Sequence, residues 1–418
     1  MIRRPHSRSV ALVLLLMVTT GCASVPPASP SPSVAVQPTA SPKPTASGEL
    51  SPTPVVAIDP GGTGGWRMLP DAVGLGTSIV ARIVAVPGGF VAVGCTALPG
   101  IECDVPAVWT SADAVTWSEP TLLPTISGEM RGQASAAAVT RAGLAVGGLV
   151  VRNDRVHAVL WFSSDGRSFE RVGDAVSLAD AAVFNLTSMS DRFIAVGAMA
   201  PYGGEFYGFR AWSSDDGRTW VDRTPGDPGE AVGGGLLAVE GGLVAWGPTC
   251  TVCVPETAWW RSGDGLTWTA TGNELAQVGA YARVVGENEG GLVAFGTIGG
   301  GDEPVLPAAW SRSTGTDRWE RAQSPVQPEG ASVTHYLLVG HGAVLAGQTS
   351  VAERPIGLVW LLGPGDDVWR PPVQLPGVSV IGLLQDPARL DRIVVVGSSP
   401  EGDRQRIVLW SGTVDWAP

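Results

Sequence analysis

One phrase recurs along the chain at a near-constant interval, and that interval limits the possible fold more than any other feature. Its clearest copy is Trp212-Ser-Ser-Asp-Asp216-Gly217-Arg-Thr-Trp220: an opening tryptophan, a polar turn tipped by Asp-Gly, and a closing aromatic. Close copies run Trp109 to Trp117, Trp161 to Phe169 and Trp260 to Trp268; looser ones run Trp310 to Trp319, Trp360 to Trp369 and Trp410 to Trp416. The opening tryptophans lie 52, 51, 48, 50, 50 and 50 residues apart. Of 16 tryptophans only Trp246 and Trp259 fall outside the opening and closing columns, so tryptophan here marks a structural position. A fixed period of this length means one supersecondary unit copied along the chain, each copy burying its apolar face on the next.

A second column gives the same period independently. Apolar runs end at Gly94, Gly147, Gly197, Gly247, Gly296, Gly347 and Gly397, spaced 53, 50, 50, 49, 51 and 50. Short β-rich runs without alternation read as strands buried on both faces. A further apolar stretch precedes each, such as Ile79 to Val86. Each unit therefore reads as four strands, A to D from inside to outside, with the tryptophan phrase as the C–D hairpin. A charged fraction of only 16%, with 56 Gly and 34 Pro, suits short strands and turns rather than helices. Doubly buried sheets are satisfied by packing face to face around an axis. The expected fold is all-β: a seven-bladed β-propeller of four-stranded antiparallel blades over residues 64–418. Trp66-Arg-Met-Leu-Pro70 looks like a closing segment standing one period before Trp117. It is expected to be the N-terminal strand that completes the last blade and closes the ring.

Residues 1–21 read as a lipoprotein signal peptide, with Arg3, Arg4 and Arg8 ahead of an apolar run too short to span a bilayer. The run ends in Thr19-Thr20-Gly21-Cys22, which resembles a bacterial lipobox and implies lipidation of Cys22. Residues 22–63, rich in Pro, Ser, Thr and Ala, read as a disordered spacer. The expected protein is anchored to the cell membrane through its N-terminal lipid and faces outward, as a monomer. Its net charge of −12 disfavours binding to phosphate backbones, so no nucleic-acid partner is expected. No cofactor loop is present, and His6, His157, His335 and His341 show no metal-ligand spacing.

The turn Ser-x-Asp-Gly-x-Thr-Trp resembles the Asp-box of sialidase-like, BNR-repeat propellers, cleanly at Asp165, Asp216 and Asp264 and with Ala114 for Gly in the first copy. Photosystem-assembly propellers resemble the phrase as well. One such Asp per blade cannot converge on a ligand, so the expected role is a stabilised hairpin turn. The resemblance places these turns on the face opposite a sialidase active site. Such enzymes use an arginine triad, a tyrosine–glutamate nucleophile pair and an aspartate. Arg82-Ile-Val lacks the residues that flank the family's signature arginine, and the chain has only 4 tyrosines. The expected function is a non-catalytic binding scaffold for a glycan or an envelope protein. The alternative is a divergent sialidase-like glycoside hydrolase.

Function on a rigid scaffold usually sits in variable loops, here the B–C connections. Cys95 with Cys103, and Cys250 with Cys253, bracket two of them and are expected to form disulfides in an oxidising compartment; reduced buried thiols are the alternative. Counting 12 residues back from each glycine gives Arg82, Ser135, Asn185, Gly235, Val284, His335 and Gln385, with Arg283 beside them. The expected site is a shallow pocket lined by Arg82, Asn185, Arg283 and His335, with Tyr202 and Tyr207 at its rim. Simple contact with channel water is the competing reading.

Overall fold

The chain folds as seven four-stranded antiparallel sheets, with no α-helix among the described residues. A computed structural model describes residues 66–69, 74–75, 78–96, 103–172, 178–200, 205–249, 256–275, 277–300, 303–325, 328, 330–366, 368–401 and 404–416. All of them lie in the compact unit Pro60–Pro418. The expected leader 1–21, the spacer 22–63, Cys22, Tyr202, Cys250 and Cys253 fall outside the described residues.

Each sheet is one blade. The innermost strands, in blade order, are Ile79–Val86, Glu129–Thr140, Ala181–Met189, Gly235–Val239, Tyr281–Asn288, Ser332–Val339 and Ser379–Asp386. Each packs beside its neighbour in the next blade, and the last returns to the first, so they surround one axis. The ring closes through the N-terminal segment, as expected. Arg67–Met68 pairs antiparallel with Arg404–Thr413, placing Arg67 opposite Ser411 and Met68 opposite Trp410. The Leu69 amide extends this ladder to the Leu409 carbonyl at 2.9 Å. Trp66 is buried against Gly412, where a Cβ would come within 2.2 Å of the indole. Closure removes the two apolar end sheets that an open stack would expose.

The core lies in the seams between blades. Opening tryptophans 109, 161, 212, 260, 310 and 360 are at most 2% exposed. The closing column is less uniform, and Trp220 is only half-buried rather than enclosed between blades. It sits at the seam edge, where its Nε1 donates to the Gly217 carbonyl at 3.0 Å.

The glycine column has a steric cause that the repeat alone does not reveal. In six blades the inner strand slips register against the second strand and leaves one residue bulged, namely Ala81, Ser135, Phe184, Arg283, Thr334 and Ile381, and blades 2 and 7 each carry one further slip. In five of these a carbonyl just before the bulge lies against the glycine. A Cβ at Gly94, Gly197, Gly296 or Gly347 would come 1.8–1.9 Å from the carbonyl oxygen of Ile79, Ala182, Tyr281 or Ser332. The same contact in blade 2 falls on Gly148, not Gly147, so that count was one residue short. Blade 7 departs further. Val80 pairs with Gly94, 14 residues on, whereas Val380 pairs with Gly397, 17 on, because Leu390, Asp391 and Arg392 stand between Arg389 and Ile393 without a register partner on the inner strand. Gln385 therefore leaves the expected ring and Gly382 takes its place.

The two faces of the ring differ. On the face carrying the A–B and C–D turns, the carboxylates of Asp113, Asp165, Asp216 and Asp264 accept N–H bonds from the residues two and three further on, at 2.6–3.0 Å. Hydroxyls of Ser111, Ser163, Ser214 and Ser262 donate to the same oxygens. At Asp113 and Asp216 partial burial pushes the carboxyl up, but the summed hydrogen bonds outweigh it. At Asp264 and Asp165 the backbone bonds dominate, and Asp165 is pulled down to about 2. On the opposite face, two of the expected variable loops are strands. Gly291–Gly300 and Glu303–Ser313 pair out to Gly300 opposite Glu303, and Arg389–Glu401 pairs with Arg404–Thr413 out to Glu401 opposite Arg404. Residues 298–300 with 303–306, and residues 398–401 with 404–407, thus continue the ladder above the blade.

Candidate functional site

The bulges position the candidate site. An extra residue on one strand twists it and re-aims the neighbouring side chains. Here that distortion recurs on the strands around the axis, in the half nearer the B–C face. Arg82, Asn185 and His335 are the first paired residues after their bulges, and Arg283 is itself the bulged residue of blade 5.

Arg82 and His335 are brought together. Both are partly buried, and Gly382 stands at the same register in the intervening blade without a side chain to separate them. The His335 ring is pushed down to about 4, first by burial and second by the charge of Arg82, against an opposing hydrogen bond to the Ile381 backbone. It is therefore neutral at pH 7, with Thr334 Oγ1 2.8 Å from its Nδ1. Burial also lowers the Arg82 guanidinium from its ordinary value.

Arg283 is not joined to that pair. Its guanidinium lies 5.5 Å from the centroid of the Tyr281 ring, and its Nε is buried without a hydrogen-bond partner among the described residues. Burial raises the Tyr281 phenol, while Arg283 opposes the shift. Asn185 is more withdrawn, at 6% exposure, with its Oδ1 accepting the Leu186 amide at 3.0 Å. Tyr207 begins strand C of blade 3 and is 42% exposed. In blade 1, Cys95 and Cys103 form a disulfide with Cα atoms 5.6 Å apart, tying off the B–C connection.

Three residues here escaped the sequence reading. Phe184, the bulged residue of blade 3, meets Phe206 edge-on with centroids 4.9 Å apart, which ties the blade 3 B–C connection to the inner strand. Tyr281 and Thr334 complete the surroundings of Arg283 and His335. Counting 13 rather than 12 residues back from Gly197, Gly296 and Gly347 lands on Phe184, Arg283 and Thr334. Among the described residues no group of three His, Cys, Asp or Glu is placed to hold a metal ion. Chemically, the arrangement offers guanidinium donors, a neutral imidazole and aromatic faces.

No protein-family model matches the chain, and no curated protein matches it. Solved structures share the fold. One is YCF48 bound to D1 peptide, 13% identical with a TM-score of 0.54, the match covering 87% of this chain and 98% of that one. Another is a PL25 ulvan lyase, a polysaccharide lyase bound to a GlcA–Rha3S chain, 10% identical with a TM-score of 0.52 over 82% of this chain and 95% of that one. At such identities the likeness is one of fold.

Proposed function

We propose that the protein is a non-catalytic binding propeller that takes an anionic group of a glycan or protein partner at the channel mouth on its B–C face. The distribution of charge on the inner strands carries this reading. The cations Arg82 and Arg283 occupy strand interiors, with the neutral His335 ring beside Arg82, whereas the acids Glu129, Glu287 and Asp386 stand at strand ends. Glu129 is already paired with Arg171, and Asp386 with Arg392. Glycoside hydrolysis calls for two carboxylates about 5–10 Å apart across the scissile bond. A mouth lined with donors and aromatic rings suits recognition instead. In the two structures of similar fold the bound ligands are a peptide and a glycan, so both classes enter the test.

The repeated turns are read as Asp-boxes that stabilise the opposite face. Cys22 is read as the lipid-bearing residue that holds the ring outside the cell membrane behind the 22–63 spacer. Cys22→Ala should abolish fatty-acid labelling and move the protein out of the membrane fraction; unchanged fractionation would contradict the anchor.

The binding test uses the chain from Ala23 onward on a glycan array and in capture from envelope extracts. The combined Arg82→Ala and Arg283→Ala variant should weaken whatever the wild type retains by about tenfold or more, at an unchanged melting temperature. Undiminished binding, or release of a cleaved sugar by the wild type, would overturn the proposal.

A further inference from the structure

The seams between blades are not equally filled. Between blades 2 and 3, Gly217 rests on the Phe162 ring so closely that a Cβ would lie 2.1 Å from it. The next residue, Arg218, holds its guanidinium 4.3 Å from the centroid of that ring and pairs with Glu170. Blade 2 thus seats the blade 3 turn with one aromatic ring and one carboxylate.

The corresponding turn of blade 2, Asp165-Gly166-Arg167, faces blade 1 and finds neither. The residue after the opening tryptophan is Thr110 in blade 1 where blade 2 has Phe162, and the residue after the closing aromatic is Ser118 where blade 2 has Glu170. Phe162 is fully buried, but Thr110 is exposed. Nothing lies within 4 Å of a Cβ placed on Gly166. Among the described residues the Arg167 guanidinium has no ion-pair partner and no ring beneath it. A groove of about 650 Å³ opens at this seam, with Val91, Thr110, Trp117, Ser118, Leu144 and Arg167 in its lining. Asp165 does not supply the missing charge. Its carboxylate is engaged by the Arg167 and Ser168 amides, just as Asp216 is engaged in blade 3, where Arg218 nevertheless recruits Glu170.

We propose that this groove, on the face opposite the channel mouth, is a second binding site for a segment of a partner protein that presents an aromatic side chain and a nearby carboxylate. The blade 2–3 seam is the template. The partner's ring lies under Arg167 as Phe162 lies under Arg218, and its carboxylate pairs with Arg167 as Glu170 pairs with Arg218. The ring gains a cation–π contact, and the apolar walls reward its burial.

The test pans a random-peptide display library against the full chain and measures the enriched peptides by titration calorimetry. Peptides carrying an aromatic residue near Asp or Glu should be enriched. They should lose about tenfold or more in affinity with Thr110→Phe, which puts the chain's own ring in the groove, and with Arg167→Glu, which reverses the charge at an exposed position. Thr110→Phe should also keep or raise the melting temperature; if it fails to fold, Arg167→Glu alone decides. Enriched peptides without the aromatic–acid pair, binding indifferent to Arg167→Glu, or no enrichment at all would overturn the site.

Discussion

At the scale of single residues, the repeated aspartate is a turn-former whose charge is held by backbone amides. Its carboxyl sits below the ordinary value of about 4, and at Asp165 it falls to about 2. Between those values the unfolded chain binds more protons than the folded one. Stability from these groups is therefore complete above about pH 4 and is lost as acid takes the pH through about 2. Melting temperatures followed from pH 5 to pH 2 should fall more steeply for wild type than for Asp165→Asn; equal slopes would show that the turn does not hold its charge. The tryptophan columns separate in the same way. Trp212 is 0% exposed and Trp220 half-buried. Trp212→Ala should cost about 3–5 kcal/mol in reversible denaturation, and Trp220→Ala distinctly less. Comparable losses would mean that both rings are equally enclosed.

At the scale of strands, the glycine column and the bulge are one device seen from two sides. Gly197→Ala would set a Cβ 1.8 Å from the Ala182 carbonyl oxygen, whereas Gly263 has open space around it. The first substitution should destabilise by about 3 kcal/mol and the second by less than about 0.5 kcal/mol. Similar small effects would contradict the steric reading. The glycines were legible in sequence because a residue type repeats there. The bulges were not, because Ala81, Phe184, Arg283 and Thr334 share no side-chain chemistry and only backbone pairing distinguishes them. That is why counting from the glycines found Arg82 and His335, put Gln385 in a ring that holds Gly382, and left Tyr281 and Phe184 unnoticed. The hairpins above blades 5 and 7 were misread as loops for a related reason. Their Gly and Pro signal turns, but neighbouring strands keep them in the ladder.

At the scale of the molecule, the period specified the blade count and the closure because each blade can bury its faces only against another blade. Deleting residues 66–69 removes the last outer strand and bares Gly412 to solvent. The melting temperature should drop and free ends of the last blade should exchange rapidly; an unchanged transition would mean that closure contributes nothing. What the period leaves open is the ligand, since seven similar blades can carry any mouth. Hydrogen exchange on the protein bound to the ligand that the wild type captures tests the mouth most directly. Protection is predicted in 79–84, 281–285 and 332–336, on the inner strands around Arg82, Arg283 and His335, with little change at the C–D turns. Protection confined to the C–D turns, with these inner strands unaffected, would contradict a binding site at the channel mouth.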